Sequence, residues 1–90
     1  MQQNKSYPAL QRAVNNAWKR HGFRSYREAE DVTGLERTTL FRMRKRGWRP
    51  SRGMVIQFAE ALREPINDWL VVAQYDPIPE ELVHEETHTR

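Results

Sequence analysis

The sequence predicts an all-α fold, a compact bundle of five short helices. Apolar residues recur at spacings of three and four along most of the chain, which is the periodicity of amphipathic helices. Gly, Pro and Ser residues divide this pattern at places where helices can begin and end. No stretch has the alternation of apolar and polar residues that a half-buried strand needs, so no sheet is expected.

The first helix is predicted between Ser6 and Gly22. Ser6 is placed to cap its N-terminus, Pro8 suits its first turn, and Gly22 can end it in a left-handed conformation. Its predicted apolar face consists of Leu10, Ala13, Val14, Ala17 and Trp18.

The second helix is predicted over residues 26–33 and the third over residues 37–46. Ser25 can cap the second helix and Gly34 can end it, while Gly47 ends the third. The predicted inward residues of the second helix are Tyr26, Ala29 and Val32. Those of the third helix are Leu40 and Met43.

The fourth helix is predicted to begin after Ser51, and the fifth to span about residues 66–74. Pro50 disfavours a helical conformation at Arg49, so a loop joins the third and fourth helices. Pro65 separates the fourth helix from the fifth. The apolar stripe of the fourth helix consists of Met54, Val55, Phe58, Ala59 and Leu62. That of the fifth consists of Ile66, Trp69, Leu70 and Ala73.

The chain is expected to form one domain over residues 1–79, followed by an acidic and flexible tail over residues 80–90. The first 79 residues carry 14 Lys or Arg and 8 Asp or Glu, whereas the tail carries one Arg and four Glu. The net charge of +3 therefore conceals a basic body. Concentrated positive charge points to an anionic polymer more than to a small substrate.

Composition excludes several classes of protein. The chain has no Cys, so it can form neither a disulfide nor a thiolate zinc site, and a reducing cytoplasm is the expected location. Its start, MQQNKSYP, lacks the apolar run of a signal peptide, and its longest apolar run, residues 69–73, is too short for a membrane span. We therefore expect no cofactor, metal, membrane or small-molecule partner.

The segment RTTLFRMRKRGWRPSR, residues 37–52, concentrates the basic charge. Seven of its sixteen residues are Lys or Arg and none is acidic. It follows a helix of about eight residues and a turn containing Gly34, which is the outline of a helix-turn-helix. In that motif the second helix lies in the major groove of DNA. The residues predicted for the outer face of this helix are Arg37, Thr38, Phe41, Arg42 and Lys45.

A longer pattern surrounds this helix-turn-helix. It runs through TGLERTTLFRMRKRGWRPSRGMVIQFAEAL and continues with INDWL and AQYDP. Leu40 follows Gly34 by six positions, and an Arg-x-Pro-Ser loop precedes the fourth helix. The pattern covers about residues 23–78 and resembles the lambda-repressor/Cro-type (XRE) regulators. Three residues depart from the usual family pattern: Glu30 stands for Ala, Glu36 for a capping Ser or Thr, and Arg44 for Glu.

The resemblance implies a lambda-repressor-like fold and sequence-specific binding of a homodimer to double-stranded DNA. The base-reading residues that it implies are Arg37, Thr38, Phe41 and Arg42. The residues that it implies near phosphates are Tyr26, Arg27, Lys45 and Arg49. Arg46, at the far end of the third helix, is also expected to reach only the DNA backbone. The expected function is transcriptional regulation. A repressor is favoured, while an activator stays open because the WRP loop is similar to that of phage lysogeny activators.

Several residues have a second interpretation. The basic side chains of the third helix could form only a solvated surface, Phe41 could belong to the core, and Tyr26 could pack instead of binding phosphate. Trp48 could stack on a sugar or pack under its loop. The tryptophans Trp18 and Trp69 are expected in the core or in a dimer interface. The expected dimer surface is the fifth helix and the segment after it, through Trp69, Val72 and Tyr75.

The acidic tail supports a second function and contains one misleading motif. A tail reading EELVHEETHTR could fold on a partner, so an antitoxin-like or adaptor-like interaction module is the alternative to a DNA-binding regulator. Within it, HEETH (residues 84–88) matches the H-E-x-x-H motif of zinc peptidases. That chemistry needs a rigid helix, a third ligand and a closed cleft. The sequence offers none of these and no nucleophile-base pair, so we do not expect an enzyme.

Overall fold

The computed structural model describes residues 6–79, which form five α-helices. The helices are α1 (Pro8–Arg20), α2 (Tyr26–Thr33), α3 (Arg37–Arg46), α4 (Arg52–Leu62) and α5 (Ile66–Val72). No strand occurs within residues 6–79, and the predicted all-α bundle of five helices is confirmed. Among these helices, none is long and apolar enough to cross a membrane. Residues 1–5 and the predicted acidic tail, with its HEETH motif, lie outside the described residues.

All five helices contribute to a single core. Helix α1 packs against α3 and α5, α2 packs against α3 and α4, and α4 packs against α5. The largest fully buried side chains include Phe58, Leu10, Leu40, Met43 and Leu70. Trp18 and Trp69 are also buried within the single chain, and their rings contact those of Phe23 and Phe58. The predicted inward faces of α1, α3 and α4 are thus confirmed.

The inward face of α2 differs from the prediction at one residue. Val32 is 48% exposed, whereas its neighbour Thr33 is buried. Thr33 lies one turn after the buried Ala29, and its hydroxyl group donates to the carbonyl oxygen of Ala29 at 2.8 Å. The same hydroxyl oxygen accepts the N–H of Leu35 at 3.1 Å. Because these bonds satisfy the polar group, Thr33 takes the inward place and Val32 falls on the flank of the helix.

Most predicted helix ends are confirmed. The hydroxyl oxygens of Ser25 and Ser51 accept the N–H groups of Glu28 and Met54, as N-capping residues do. Gly34 ends α2 in the left-handed conformation, with φ 77°. The left-handed conformation favours glycine here, and a Cβ atom at this position would lie 2.8 Å from the side-chain nitrogen of Gln57, which would have to move. Gly22 and Gly47 also take the left-handed conformation predicted for helix ends.

Helix α1 begins differently from the prediction. Its N-cap is Tyr7, which makes no side-chain capping bond, and Pro8 is its first residue. The N–H of Tyr7 donates to the carbonyl oxygen of Gly47 at 2.9 Å, so the entry into α1 is fixed to the end of α3. The predicted capping role of Ser6 is therefore wrong, because a distant backbone bond defines this helix end.

Helix α5 ends two residues before the predicted limit. Gln74 takes a left-handed conformation with φ 66°, which turns the chain out of the helix. The N–H of Tyr75 then closes the helix end on the carbonyl oxygen of Leu70 at 2.8 Å. The Tyr75 hydroxyl group donates to the carbonyl oxygen of Pro50 at 2.6 Å. This end is thus held by the loop before α4.

Glu64 joins the end of α1 to the turn between α4 and α5. Its carboxylate accepts hydrogen bonds from Arg20 at 2.8 Å and from the indole N–H of Trp69 at 2.9 Å. The Nε2 atom of His21 lies 2.6 Å from the other carboxylate oxygen. Burial alone would raise the pKa of Glu64, but the hydrogen bonds from His21, Arg20 and Trp69 and the charge of Arg20 lower that pKa to about 2.

Candidate nucleic-acid interface

The two faces of α3 differ sharply in burial and charge. Leu40 and Met43 are 0% and 1% exposed, and they fix the inward side of the helix. The exposed side chains of α3 are Arg37, Thr38, Phe41, Arg42, Lys45 and Arg46. The predicted orientation of the helix is therefore correct, and the predicted base-reading residues lie together on its outer side.

Among the basic residues of α3, Arg44 makes hydrogen bonds to other helices of the bundle. Its Nε–H donates to the side-chain oxygen of Asn15 at 3.0 Å, and a terminal N–H donates to the hydroxyl oxygen of Tyr26 at 3.2 Å. The guanidinium carbon lies 4.6 Å from the centroid of the Trp18 ring, within cation–π range. Arg44 thus connects α3 to both α1 and α2.

The backbone of α3 is also held from α1. The side-chain amides of Gln11 and Asn15 both donate to the carbonyl oxygen of Arg44, each at 3.1 Å. These residues were not predicted as functional. The spacings between Gln11, Asn15 and the buried Trp18 are four and three, which place the three residues along one face of α1. This alignment of two amide residues with a core residue is the sequence signal that could have identified them.

The turn before α3 is held from α4. The side-chain N–H of Gln57 donates to the carbonyl oxygen of Thr33 at 2.9 Å. Thr33 ends α2, and only the three residues Gly34–Glu36 separate it from α3. Helix α3 is consequently braced by α1 and α2, and α4 holds the end of α2 from which the turn into α3 begins. Such support is what a surface that recognises a ligand needs.

Tyr26 and Phe41 form an aromatic pair at the edge of the outer surface. The Tyr26 ring is half-buried against the Trp18 ring, with centroids 5.0 Å apart. Its hydroxyl oxygen is the acceptor for Arg44. The Phe41 ring lies 6.0 Å from the Tyr26 ring and remains 41% exposed. Phe41 is therefore a surface residue supported by Tyr26, and its alternative assignment to the core is wrong.

Arg37, the first residue of α3, makes an ion pair across the turn. Its Nε atom lies 2.9 Å from a carboxylate oxygen of Glu30 on α2. The Arg37 side chain is nevertheless 64% exposed. Glu36 is the N-cap of α3 and forms no side-chain capping bond, as its departure from Ser or Thr predicts.

Arg49 has internal partners that the sequence did not predict. Its guanidinium carbon lies 5.0 Å from the Tyr7 ring centroid and 4.2 Å from the Tyr75 ring centroid. A terminal N–H also donates to the carbonyl oxygens of Ala73 and Gln74, at 3.3 and 3.2 Å. The loop after α3 is thereby held to Tyr7, before α1, and to residues 73–75, after α5.

The remaining predicted phosphate contacts are open to solvent. Arg27 on α2 is exposed, as are Lys45 and Arg46 in the last turn of α3. Within the described part of the chain, Lys45 and Arg46 make no ion pair or side-chain hydrogen bond. Trp48 packs partly against the core, and the Arg42 guanidinium lies 5.7 Å from its ring centroid.

Taken together, these contacts give a rigid helix with a basic outer side. Of the seven basic residues in 37–52, Arg44 and Arg49 are partly buried and bonded within the protein, and Arg37 is paired at the surface. The exposed Arg52 donates to the carbonyl oxygen of Asp76 at 3.3 Å. Among residues 6–79, no group of three or more His, Asp or Glu side chains is arranged to hold a metal ion. No protein-family model, curated protein or solved structure matches this chain.

Proposed function

We propose that this protein is a sequence-specific regulator of transcription that binds double-stranded DNA with α3 in the major groove. The observation that carries the proposal is the outer side of α3, where four basic residues, Thr38 and Phe41 are exposed and no acidic residue lies between 37 and 52. A helix of this width fits the major groove of B-DNA. Repression by occupying an operator is the favoured mode, and activation is the alternative sign of regulation.

The exposed residues divide into two groups by the part of DNA they would reach. Residues near the start of α3 would meet base edges, where Arg can bond guanine and an aromatic edge can contact the methyl group of thymine. The first group consists of Arg37, Thr38, Phe41 and Arg42. Residues at the end of α3 and on α2 would meet phosphates, which give affinity and register without reading sequence. The second group consists of Arg27, Lys45 and Arg46. Tyr26 and Arg49, which are also predicted near phosphates, are left out of this group because they have partners within the protein.

We also propose that the protein binds a palindromic site as a homodimer, because one helix reads only a few base pairs. Trp69 is buried within the single chain and the Tyr75 hydroxyl group is bonded to Pro50. Val71 is the large apolar residue of α5 that remains 58% exposed. A dimer contact through α5 would therefore centre on Val71 and the partly buried Val72 rather than on Trp69.

The proposal predicts how one lysine affects the salt dependence of binding. If Lys45 neutralises a phosphate, Lys45→Ala should weaken binding to all duplexes about equally. The slope of the logarithm of the binding constant against the logarithm of the salt concentration should also become shallower by roughly one unit for each subunit bound. Fluorescence anisotropy with a labelled duplex at several salt concentrations measures both quantities.

Lys19 provides the matched control for this experiment. It is also an exposed lysine in the last turn of a helix, but that helix is α1 and its turn lies beside Arg20 and the Glu64 contacts. Lys19→Ala should leave the slope unchanged. Equal effects of the two substitutions would mean that general charge, not α3, attracts DNA. A wild-type chain that binds no duplex would refute the proposed function.

A further inference from the structure

The side chain of Arg37, at the start of α3, is held on one side by an ion pair with Glu30. The Nε atom of Arg37 lies 2.9 Å from Oε1 of Glu30, and the two side chains are 64% and 36% exposed. Glu30 belongs to α2, and the carbonyl oxygen of this same residue accepts the N–H of Gly34 at the turn. The carboxylate therefore stands on a short, well-held segment close to the α3 N-terminus.

This contact leaves the outer edge of the Arg37 guanidinium available. A guanidinium group has five N–H bonds, and Arg37 approaches the Glu30 carboxylate through Nε, as an ion pair at 2.9 Å. Within residues 6–79, no hydrogen bond involves the two terminal nitrogens of Arg37. A pair of parallel N–H bonds is the arrangement that bonds O6 and N7 of guanine. An arginine that is already oriented loses less freedom when it makes such bonds.

We propose that Glu30 is a positioning residue that determines selectivity for guanine through Arg37, an inference that rests on the proposed DNA-binding function. The carboxylate holds the guanidinium so that its terminal N–H groups face away from the protein, toward a base edge. The same negative charge, at the edge of a basic surface, repels phosphates and so lowers affinity for DNA of any sequence. Glu30 thus raises selectivity while it weakens general attraction.

The two effects make opposite predictions for one substitution. Glu30→Ala should tighten binding to a random-sequence duplex, because it removes a negative charge near the DNA. It should also reduce the preference for guanine at the position read by Arg37 by about twofold to fivefold, the range that an exposed ion pair contributes. A residue that only packed α2 against α3 would instead weaken both kinds of binding when removed.

Three further variants separate the charge from the position. Glu30→Gln removes the charge but keeps an amide oxygen within reach of Arg37 Nε, so it should tighten general binding and retain part of the guanine preference. Asp31→Ala removes the same charge from the next residue, which is exposed, and it should leave the base-preference profile unchanged. In an Arg37→Ala background, Glu30→Ala should not alter the profile further, because the residue through which it acts is absent.

The experiment measures binding of each variant to the duplex selected by the wild-type chain, to its single-base variants, and to a random-sequence duplex. Unfolding in urea is measured in parallel to show that each variant is folded. Reduced guanine preference with tighter general binding in Glu30→Ala supports the inference. An unchanged profile in Glu30→Ala, with a selective wild-type chain, overturns the inference alone. A wild-type chain without selectivity overturns the proposed function and, with it, the inference.

Discussion

The basic residues between 37 and 52 have different physical roles although the sequence presents them as one group. Arg44 and Arg49 are held by aromatic rings and by oxygen atoms inside the protein. Lys45 and Arg46 extend into solvent from the last turn of α3. Sequence reasoning could assign the outer side of α3 from the periodicity of Leu40 and Met43, because that assignment needs only helix geometry. It could not separate an anchored arginine from a free one, because the anchoring groups belong to residues 18 to 42 positions away.

The contacts of Arg49 predict a loss of stability when it is removed. Arg49→Ala should lower the free energy of unfolding by about 1–3 kcal/mol, because two cation–π contacts and the bonds to the α5 end are lost. Urea denaturation followed by circular dichroism measures the change. Arg46→Ala removes an exposed arginine and should stay within about 0.5 kcal/mol of the wild-type value. Equal stability of the two variants would show that the Arg49 contacts contribute nothing.

At the scale of the helices, the ends that depend on local signals were predictable. Ser25, Ser51, Gly34 and Gly47 act within a few residues of their own position, through capping bonds or left-handed turns. The start of α1 was not predictable from Ser6, because the Tyr7 N–H bonds to a carbonyl group 40 residues later in the chain. Local sequence contains no information about such a partner.

Helix α3 shows the same division between what was predicted and what was missed. Its limits, its inward residues and its exposed basic side follow from periodicity and from the two glycines that flank it. Its support by Gln11, Asn15 and Gln57 was not predicted, because the alignment of amide side chains along a helix does not show which distant backbone carbonyl they bond. The candidate surface was therefore predictable in outline, while the contacts that make it rigid required the structure.

At the scale of the whole molecule, Glu64 makes the stability of the bundle depend on pH. The folded state lowers the pKa of Glu64 from 4.5 to about 2, so the folded chain binds a proton less readily than the unfolded chain. The resulting stabilisation is fully present above about pH 4.5 and is lost as the pH falls toward 2. We expect it to contribute about 1–2 kcal/mol, less than the full shift implies, because Arg20 is half-exposed and solvent screens the pair.

Comparison of two variants isolates this contribution. Glu64→Gln should be less stable than the wild-type chain at pH 6, and the difference should shrink between pH 4.5 and 2 as the wild-type carboxylate takes up its proton. Glu60→Gln, at an exposed position of α4, serves as the control and should follow the wild-type curve. Urea unfolding at a series of pH values gives the curves. A constant difference between Glu64→Gln and the wild-type chain across this range would contradict the assignment.

A comparison of base preferences can test whether the outer side of α3 reads the sequence of duplex DNA. Duplexes selected from a random pool by the wild-type chain define its site, and binding to every single-base variant then gives the preference profile of the wild-type chain, Arg37→Ala and Arg46→Ala. Both substitutions remove one positive charge from an exposed side chain of α3. We expect Arg37→Ala to lose about 1–3 kcal/mol of discrimination at one base pair in each half-site, whereas Arg46→Ala should lower affinity and keep the wild-type profile. If both variants retain the wild-type profile, or if the wild-type chain selects no sequence, α3 does not read bases in the orientation described.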